Sequence, residues 1–458
     1  NVAADPLFTV AYTGVTGALV LAVADDPGMH SSQNEQDTRR YAVAAGVPLL
    51  EPASSQEAYD TVLRAVEISE RWGLPVIVRL TTRISHAKGV VNTREPMPQA
   101  REPHFEHDLK SRVMIPGFAR PAHRRLRAKL DEIARWNESD EAATVTEIEG
   151  DRSLGIIAAG ISYMHAREAA PEASFMKPLM THPLPIERLR AFAESVERCV
   201  VIEEGDPVMA EALRAEGVVV DSKPAMYRFG ELTVNRVRRI LDGDTSEEPA
   251  PPKGRPPQLC PGCPHRTVFE VLSKLECIVS GDIGCYSLGV LPPFEAMDSL
   301  VCMGASIGVG LGLRHVLPGD EARKVVSVIG DSTFVHSGMT GIAEMIYNPP
   351  PGGQLVMILD SGTPAMTGLQ EHPGTGRRLN HEPTGRVVFE ELCPAMGAET
   401  VVFEDPNRDV EGFEKAVREA LENDKPTVMV VRRPCILAAK KQKKMAQAEC
   451  KATENEES

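Results

Sequence analysis

Along this chain short apolar runs alternate with amphipathic stretches of helical period. ALVLAVADD (18–26) is an apolar run closing on acidic residues and Pro-Gly, which predicts a buried parallel strand and the loop at its carboxyl end. QEAYDTVLRAVEISERWG (56–73) sets Ala58, Val62, Ala65, Val66 and Ile68 near a helical repeat and stops at Gly73, so it predicts a helix. LPVIVRLTTR (74–83) reads as the next strand. Strand–helix–strand order implies a parallel sheet with helical crossovers.

Residues 99–149 read as a connector. Within it HRRLRAKLDEIARW (123–136) is a charged helix with the stripe Leu126, Leu130 and Ile133, expected to lie across a domain surface. Residues 150–245 form a second α/β unit. SLGIIAAGISYMHAREAA gives strand, glycine turn and helix, and ERCVVIEEG (197–205) gives another strand with an acidic end. SEEPAPPKGRPPQ (246–258) is a proline-stiffened linker.

The third unit, 259–437, has strands at CIVSGDIG, KVVSVIGD, QLVMILD and TVMVVRR, with helices from GASIGVGLGLRHV, from GMTGIAEMIY and over 412–421. The tail 438–458 is polar and reads as disordered. The expected architecture is α/β, with parallel-sheet units at 1–98, 150–245 and 259–437.

Composition adds limits rather than detail. With 458 residues, 42% hydrophobic and 25% charged, the chain can bury several cores. A net charge of −15 argues against a nucleic-acid surface. No apolar run approaches the ~18 residues of a membrane span, so a cytoplasmic protein without membrane insertion is expected. The chain opens on Asn1 within helix-like text, which reads as a segment whose beginning lies upstream.

Two strand ends carry candidate chemistry. KVVSVIGD ends on Gly330-Asp331-Ser332, and QLVMILD is followed by Ser361-Gly362-Thr363. One helix and one strand separate Asp331 from Ser361, so both turns fall at the carboxyl edge of adjacent parallel strands, where open α/β sheets bind ligands. A carboxylate, a hydroxyl and a carbonyl there form a hard-oxygen set suited to Mg²⁺ and phosphate oxygens. Upstream, CMGASIGVGLG places Gly304, Gly308, Gly310 and Gly312 about a helix start, a place that favours anions. Taken alone, GDS is also an ordinary tight turn and the glycines an ordinary packing stripe.

Nine cysteines complete the inventory: Cys199, Cys260, Cys263, Cys277, Cys285, Cys302, Cys393, Cys435 and Cys450. CPGCPHR (260–266) supplies a CxxC, while Cys285 and Cys435 follow the first and last strands of the third unit. A zinc site, redox chemistry and plain buried thiols all remain open on the residues alone.

The strings DDPGMHSSQNEQD (25–37), CPGCPHR, DIGCYSLG (282–289), CMGASIG, GDSTF and AMTG (365–368) resemble the large subunit of the indolepyruvate ferredoxin oxidoreductases, members of the thiamine-diphosphate-dependent 2-oxoacid:ferredoxin oxidoreductases. The resemblance implies a truncated pyrimidine-type domain at 1–98, a transketolase-C-like domain at 150–245 and a diphosphate domain at 259–437. It implies thiamine diphosphate held near Met303, Gly304, Ala305, Ser306, Gly330, Asp331 and Ser332, with Met303 propping the cofactor into its bent form. Mg²⁺ would be bound by Asp331, Ser361 and the carbonyl of Thr363. Ser361 stands where the family usually has Asn. One 4Fe–4S cluster would be held by Cys260, Cys263, Cys285 and Cys435, while Cys199, Cys277, Cys302 and Cys393 are expected buried and unligated. His30, His265 and His372 would serve substrate or proton handling, with His265 touching phosphate; each is also readable as a surface or core-edge histidine. The family's HQPHPG text reads LQEHPG here (369–374), with Leu369 in place of a histidine. The family's first segment, bearing a glutamate for the cofactor's pyrimidine ring, would precede Asn1, and its cysteine-rich extension would begin near Cys450.

The activity implied is oxidative decarboxylation of an aryl 2-oxoacid to an aryl-acetyl-CoA. The implied partners are ferredoxin as electron acceptor, coenzyme A and a smaller β subunit in a hetero-oligomer. Two alternatives stand beside it. A non-oxidative thiamine-dependent decarboxylase or carboligase would need no cysteine cluster, and a non-catalytic homologue would keep only the fold.

Overall fold

The structure, a computed structural model, describes residues 3–95, 107–249 and 256–441. Cys450, the tail beyond 441 and linker residues 250–255 lie outside the described residues. The chain divides into two compact units, Asn1–Ala250 and Pro251–Ser458.

The first unit contains strands β1 (Val20–Asp25), β2 (Leu49–Leu50), β3 (Val76–Thr81), β4 (Val145–Ile148), β5 (Asp151–Ala158), β6 (Ala173–Pro178), β7 (Met180–His182), β8 (Cys199–Ile202) and β9 (Asp221–Ser222). They form two sheets, of order β1-β3-β2-β7 and β4-β6-β5-β8-β9. Strands β1, β2 and β3 run parallel, as the strand–helix–strand pattern requires, and β7 joins β2 antiparallel. In the second sheet β4 is the antiparallel edge.

The helix Ser55–Trp72 starts where Ser54 Oγ accepts the Glu57 N–H and ends on Gly73 in the left-handed region, φ 59°. Its buried face is Thr61, Ala65, Ile68 and Ser69. Val62, read from the sequence as part of that face, is exposed. Within that face the Ser69 hydroxyl is satisfied, donating to the Leu74 carbonyl at 2.6 Å and accepting the Leu19 N–H at 2.9 Å.

The charged helix extends over Pro116–Asn137. Leu126, Leu130 and Ile133, with Trp136, close the core that also holds Leu49, Val76 and Val78 of the first sheet. The stretch read as a connector therefore supplies a covering helix of that sheet.

The second unit is one parallel sheet of strands β10 (Ile278–Gly281), β11 (Ser299–Leu300), β12 (Val325–Gly330), β13 (Gln354–Asp360), β14 (Glu399–Glu404) and β15 (Pro426–Arg432), in the order β11-β10-β12-β13-β15-β14. Leu355, Met357, Leu359, Met429 and Val431 point into one core, and Val356, Ile358, Val428 and Val430 into another. Both faces are covered by helices, so the central strands read as unbroken apolar runs. The two strands absent from the sequence reading, β11 and β14, are the edges; one is very short and the other has four exposed positions.

The order β13-β15-β14 repeats that of β1-β3-β2 in the first unit: three parallel strands with the third placed between the other two. In each, an aspartate ends the first strand and an arginine of the third binds it, Arg79 to Asp25 and Arg432 to Asp360.

Candidate functional site

Because β10, β12, β13 and β15 are parallel neighbours, the loops that follow them gather at one edge of the second sheet. There they enclose a cavity of about 380 Å³. Gly330, Asp331, Ser332, Ser361 and Thr363 line it, as do His265 and Met303.

Gly330 has ordinary backbone angles, and its lack of a side chain answers a close approach. A Cβ there would stand 2.7 Å from the Tyr286 ring. Asp331 is 3% exposed. One carboxylate oxygen accepts the Ser332 N–H at 2.8 Å, and the other accepts the Gly362 N–H at 2.7 Å. The Ser361 hydroxyl donates to the Thr363 carbonyl at 3.1 Å. The two turns are thus locked to each other, with one buried carboxylate, one hydroxyl and one carbonyl on the cavity wall. This donor set fits a hard divalent cation carrying phosphate oxygens.

His265 sits in the first turn of the helix Pro264–Lys274, buried edge-on against Tyr286. Burial pushes its pKa down to about 4, with the Asp331 charge acting the other way. At neutral pH it is an uncharged imidazole, so it can offer a phosphate a hydrogen bond but no positive charge. The His372 side chain is 6% exposed. Its Nε2 lies 3.5 Å from the Asp331 carboxylate and has no hydrogen-bond partner.

The MGAS helix start differs from the sequence expectation. Gly304, Ala305 and Ser306 do not line the cavity. Gly304 and Ser306 donate their N–H groups to the buried carboxylate of Asp282, and the Ala305 N–H goes to the Cys302 carbonyl. The helix end read as a phosphate cradle already holds an anion of the chain itself. Gly304 is required by its φ of 86° and by Ser337, which a Cβ would strike. Gly310 lets the helix press on Ser327, whereas Gly308 and Gly312 face open space.

The four candidate ligand cysteines, Cys260, Cys263, Cys285 and Cys435, all line the same cavity. In the CPGC turn Gly262 takes φ 80° and the Cys263 N–H returns to the Cys260 carbonyl at 3.0 Å, which brings the two residues onto one side. Burial pushes the Cys263 thiol up to about 11, and the neighbouring Cys260, Cys285 and Cys435 add to the shift. Cys285 is raised for the same reasons, burial first and then Cys435 and Cys260. Four soft donors about one cavity fit a cluster in kind. Among the described residues, though, no three His, Cys, Asp or Glu side chains stand close enough to hold one metal ion. Of the cysteines expected to be buried, Cys199 and Cys393 are, Cys277 is half-buried and Cys302 is exposed, because it lies on the loop before the helix start.

His30 belongs to the first unit, where its Nε2 lies 3.4 Å from Glu231, a carboxylate that also holds Arg83. Two residues of the site escaped the sequence reading. Tyr286, inside the quoted DIGCYSLG string, is the wall behind Gly330, and Asp282 of the same string ties down the helix start. The signal available for Asp282 was an acidic residue ending an apolar strand, the same signal that picked out Asp331. Among the described residues no helix is long and apolar enough to cross a membrane.

Residues 282–431 match the family model of the thiamine pyrophosphate enzyme C-terminal TPP-binding domain. The indolepyruvate oxidoreductase subunit IorA of Archaeoglobus fulgidus is 38% identical over 95% of this chain and 73% of its own length. The IorA subunit of Pyrococcus horikoshii is 39% identical over 95% of this chain and 74% of its own. A solved 2-oxoglutarate:ferredoxin oxidoreductase from Magnetococcus marinus aligns over 53% of this chain and 51% of its own at 14% identity, with a TM-score of 0.40, a likeness too distant to carry weight.

Proposed function

The chain belongs to the IorA family of indolepyruvate oxidoreductase subunits, and from that premise we propose that it is the thiamine-diphosphate-binding subunit of an oxidoreductase that decarboxylates aryl 2-oxoacids to aryl-acetyl-CoA and passes the electrons to ferredoxin. The observation that carries the reading is the locking of the two turns, with the Asp331 carboxylate on the Gly362 N–H, inside the domain matched to thiamine pyrophosphate enzymes.

When bound, thiamine diphosphate supplies the carbon nucleophile that releases CO₂ from a 2-oxoacid. The residues of the chain bind and shield it. Asp331, Ser361 and the Thr363 carbonyl would hold Mg²⁺, with the Gly330–Ser332 turn beside the diphosphate and Met303 against the cofactor's rings. His372, whose Nε2 lies beside Asp331, would hold or pass a proton. His265, neutral by burial, would donate to a phosphate oxygen. Cys260, Cys263, Cys285 and Cys435 would hold one 4Fe–4S cluster, because ferredoxin takes electrons singly and a one-electron acceptor beside the cofactor is required. Their shared cavity supports this assignment.

On this reading 1–98 is the pyrimidine-type domain with His30 in its loop, 99–149 leads to a transketolase-C-like domain at 150–245, and 259–437 is the diphosphate domain. A companion β subunit and a cytoplasmic location belong to the same proposal, the relatives being named as subunits.

The test is direct. The anaerobically purified chain, joined with its companion subunit, should reduce ferredoxin when given indolepyruvate, coenzyme A and thiamine diphosphate with Mg²⁺. Formation of an aryl aldehyde without ferredoxin reduction would instead support the non-oxidative decarboxylase.

A further inference from the structure

Asp282 is the least explained charge in the second unit. It follows the last residue of β10 and is completely buried. Among the described residues no cation pairs with it, and three main-chain N–H groups hold it. Ile283 donates at 2.8 Å, Gly304 reaches both oxygens at 3.0 Å, and Ser306 donates at 3.1 Å. Gly304 and Ser306 open the helix Ala305–Val316, whose positive end adds a counter-charge. The same turn is held from behind. The Ser306 carbonyl accepts both the Ser280 hydroxyl, at 2.8 Å, and the Ser327 hydroxyl, at 2.9 Å.

Two cavity residues hang from this clamp. Met303 immediately precedes Gly304, and Cys285 comes three residues after Asp282 on the loop whose first amide it binds. We propose that Asp282 is a positioning residue that occupies the start of the helix Ala305–Val316 permanently, as an internal stand-in for phosphate, and thereby sets Met303 and Cys285 in the lining of the cofactor cavity. The proposal rests on the thiamine-diphosphate reading of the cavity and sharpens it. The diphosphate is held at the Gly330–Ser332 and Ser361–Thr363 turns and not at this glycine-rich helix. A carboxylate suits the task because it accepts from three converging N–H groups. An amide in its place would turn an NH₂ donor toward some of them and leave an amide unpaired.

The experiment uses the full chain, metal-free and anaerobic, and compares the parent with Asp282→Asn. Thiamine diphosphate with Mg²⁺ is titrated calorimetrically, and the rate at which iodoacetamide labels each cysteine is read by peptide mass spectrometry. The proposal expects cofactor affinity to fall about tenfold, the equivalent of one lost net hydrogen bond. It also expects Cys285 to label several-fold faster while buried Cys393 stays protected. Unchanged or tighter cofactor binding, the result if the diphosphate normally displaces Asp282, overturns it, and so does unchanged Cys285 labelling. If Cys393 labels as well, the unit has opened. The decision then passes to hydrogen exchange of the parent peptide 302–307, whose Gly304 and Ser306 amides should be protected equally with and without thiamine diphosphate. Protection that arises only with the cofactor overturns the proposal. A parent chain that binds no thiamine diphosphate refutes the functional reading, while labelling and exchange still decide whether Asp282 is a clamp.

Discussion

The Cys435 N–H donates to the Ser361 carbonyl at 2.9 Å. This bond joins the segment after β15 to the turn after β13, and so ties a cysteine of the proposed cluster to a proposed Mg²⁺ ligand. The preceding residue pair repeats it, with the Arg433 N–H on the Asp360 carbonyl at 3.0 Å, and the Arg432 side chain grips the Asp360 carboxylate at 2.8 Å. Burial and the nearby Asp331 charge raise the Asp360 pKa, and Arg432 counters them. Thiol and metal turn therefore share one rigid strand edge, which is the arrangement needed if electrons are to pass a short distance from cofactor to cluster.

The cysteines can be tested apart from activity. After anaerobic reconstitution the parent should carry about four irons and four sulfides per chain. Cys263→Ala or Cys435→Ala should lose most of both, while Cys393→Ala, buried in another core, should keep them. Zinc without sulfide in the parent would leave the oxidative reading without its electron acceptor.

Asp331 and Ser361 should differ in weight. Asp331→Ala removes the only charged candidate ligand and frees two partly buried amides. Mg²⁺-dependent thiamine diphosphate binding should vanish in calorimetry, with a stability loss of about 1–3 kcal/mol. Ser361→Ala removes one neutral hydrogen bond and should weaken binding about tenfold, in line with roughly 1 kcal/mol. Ser361→Asn should bind as the parent does, because a side-chain carbonyl replaces the hydroxyl as ligand.

Acid should destabilise the second unit through His265. Its folded pKa of about 4 lies below the 6.5 of an open chain, so between these values the unfolded state binds more protons. The contribution is complete above pH 6.5 and is lost as the pH falls toward 4, on the order of 3 kcal/mol. Hydrogen exchange of the β12 peptide, followed from pH 7 to 4, should show the loss, and His265→Gln should flatten it. An imidazole titrating near 6.5 in the folded chain, seen by NMR, would contradict the burial argument.

The helix Pro116–Asn137 should behave as core. Ile133 is fully buried against the first sheet, so Ile133→Ala should cost about 2–5 kcal/mol in urea unfolding followed by Trp136 fluorescence. A surface connector would lose only a few tenths.

Much of this protein is legible before folding. Strands β12, β13 and β15 are unbroken apolar runs because both sheet faces are covered, and their ends name Asp331, Ser361 and Cys435 because parallel strands present their carboxyl ends together. The strings around Cys260, Cys285 and Met303 were enough to identify the family. Periodicity and motif spacing are local, and they report reliably on what local geometry decides.

The remainder depends on groups far apart in sequence that meet only when helices pack on sheets. Val62 is exposed although buried Ser69, one heptad on, shares its bearing on the helix and bonds to Leu19 and Leu74, a difference no helical repeat encodes. The charged helix belongs to the first sheet because its narrow stripe joins that sheet's core. The glycine-rich helix start holds Asp282, more than twenty residues earlier in sequence, on its first amides. A helix end attracts whichever anion lies nearest, and only the tertiary structure sets that distance.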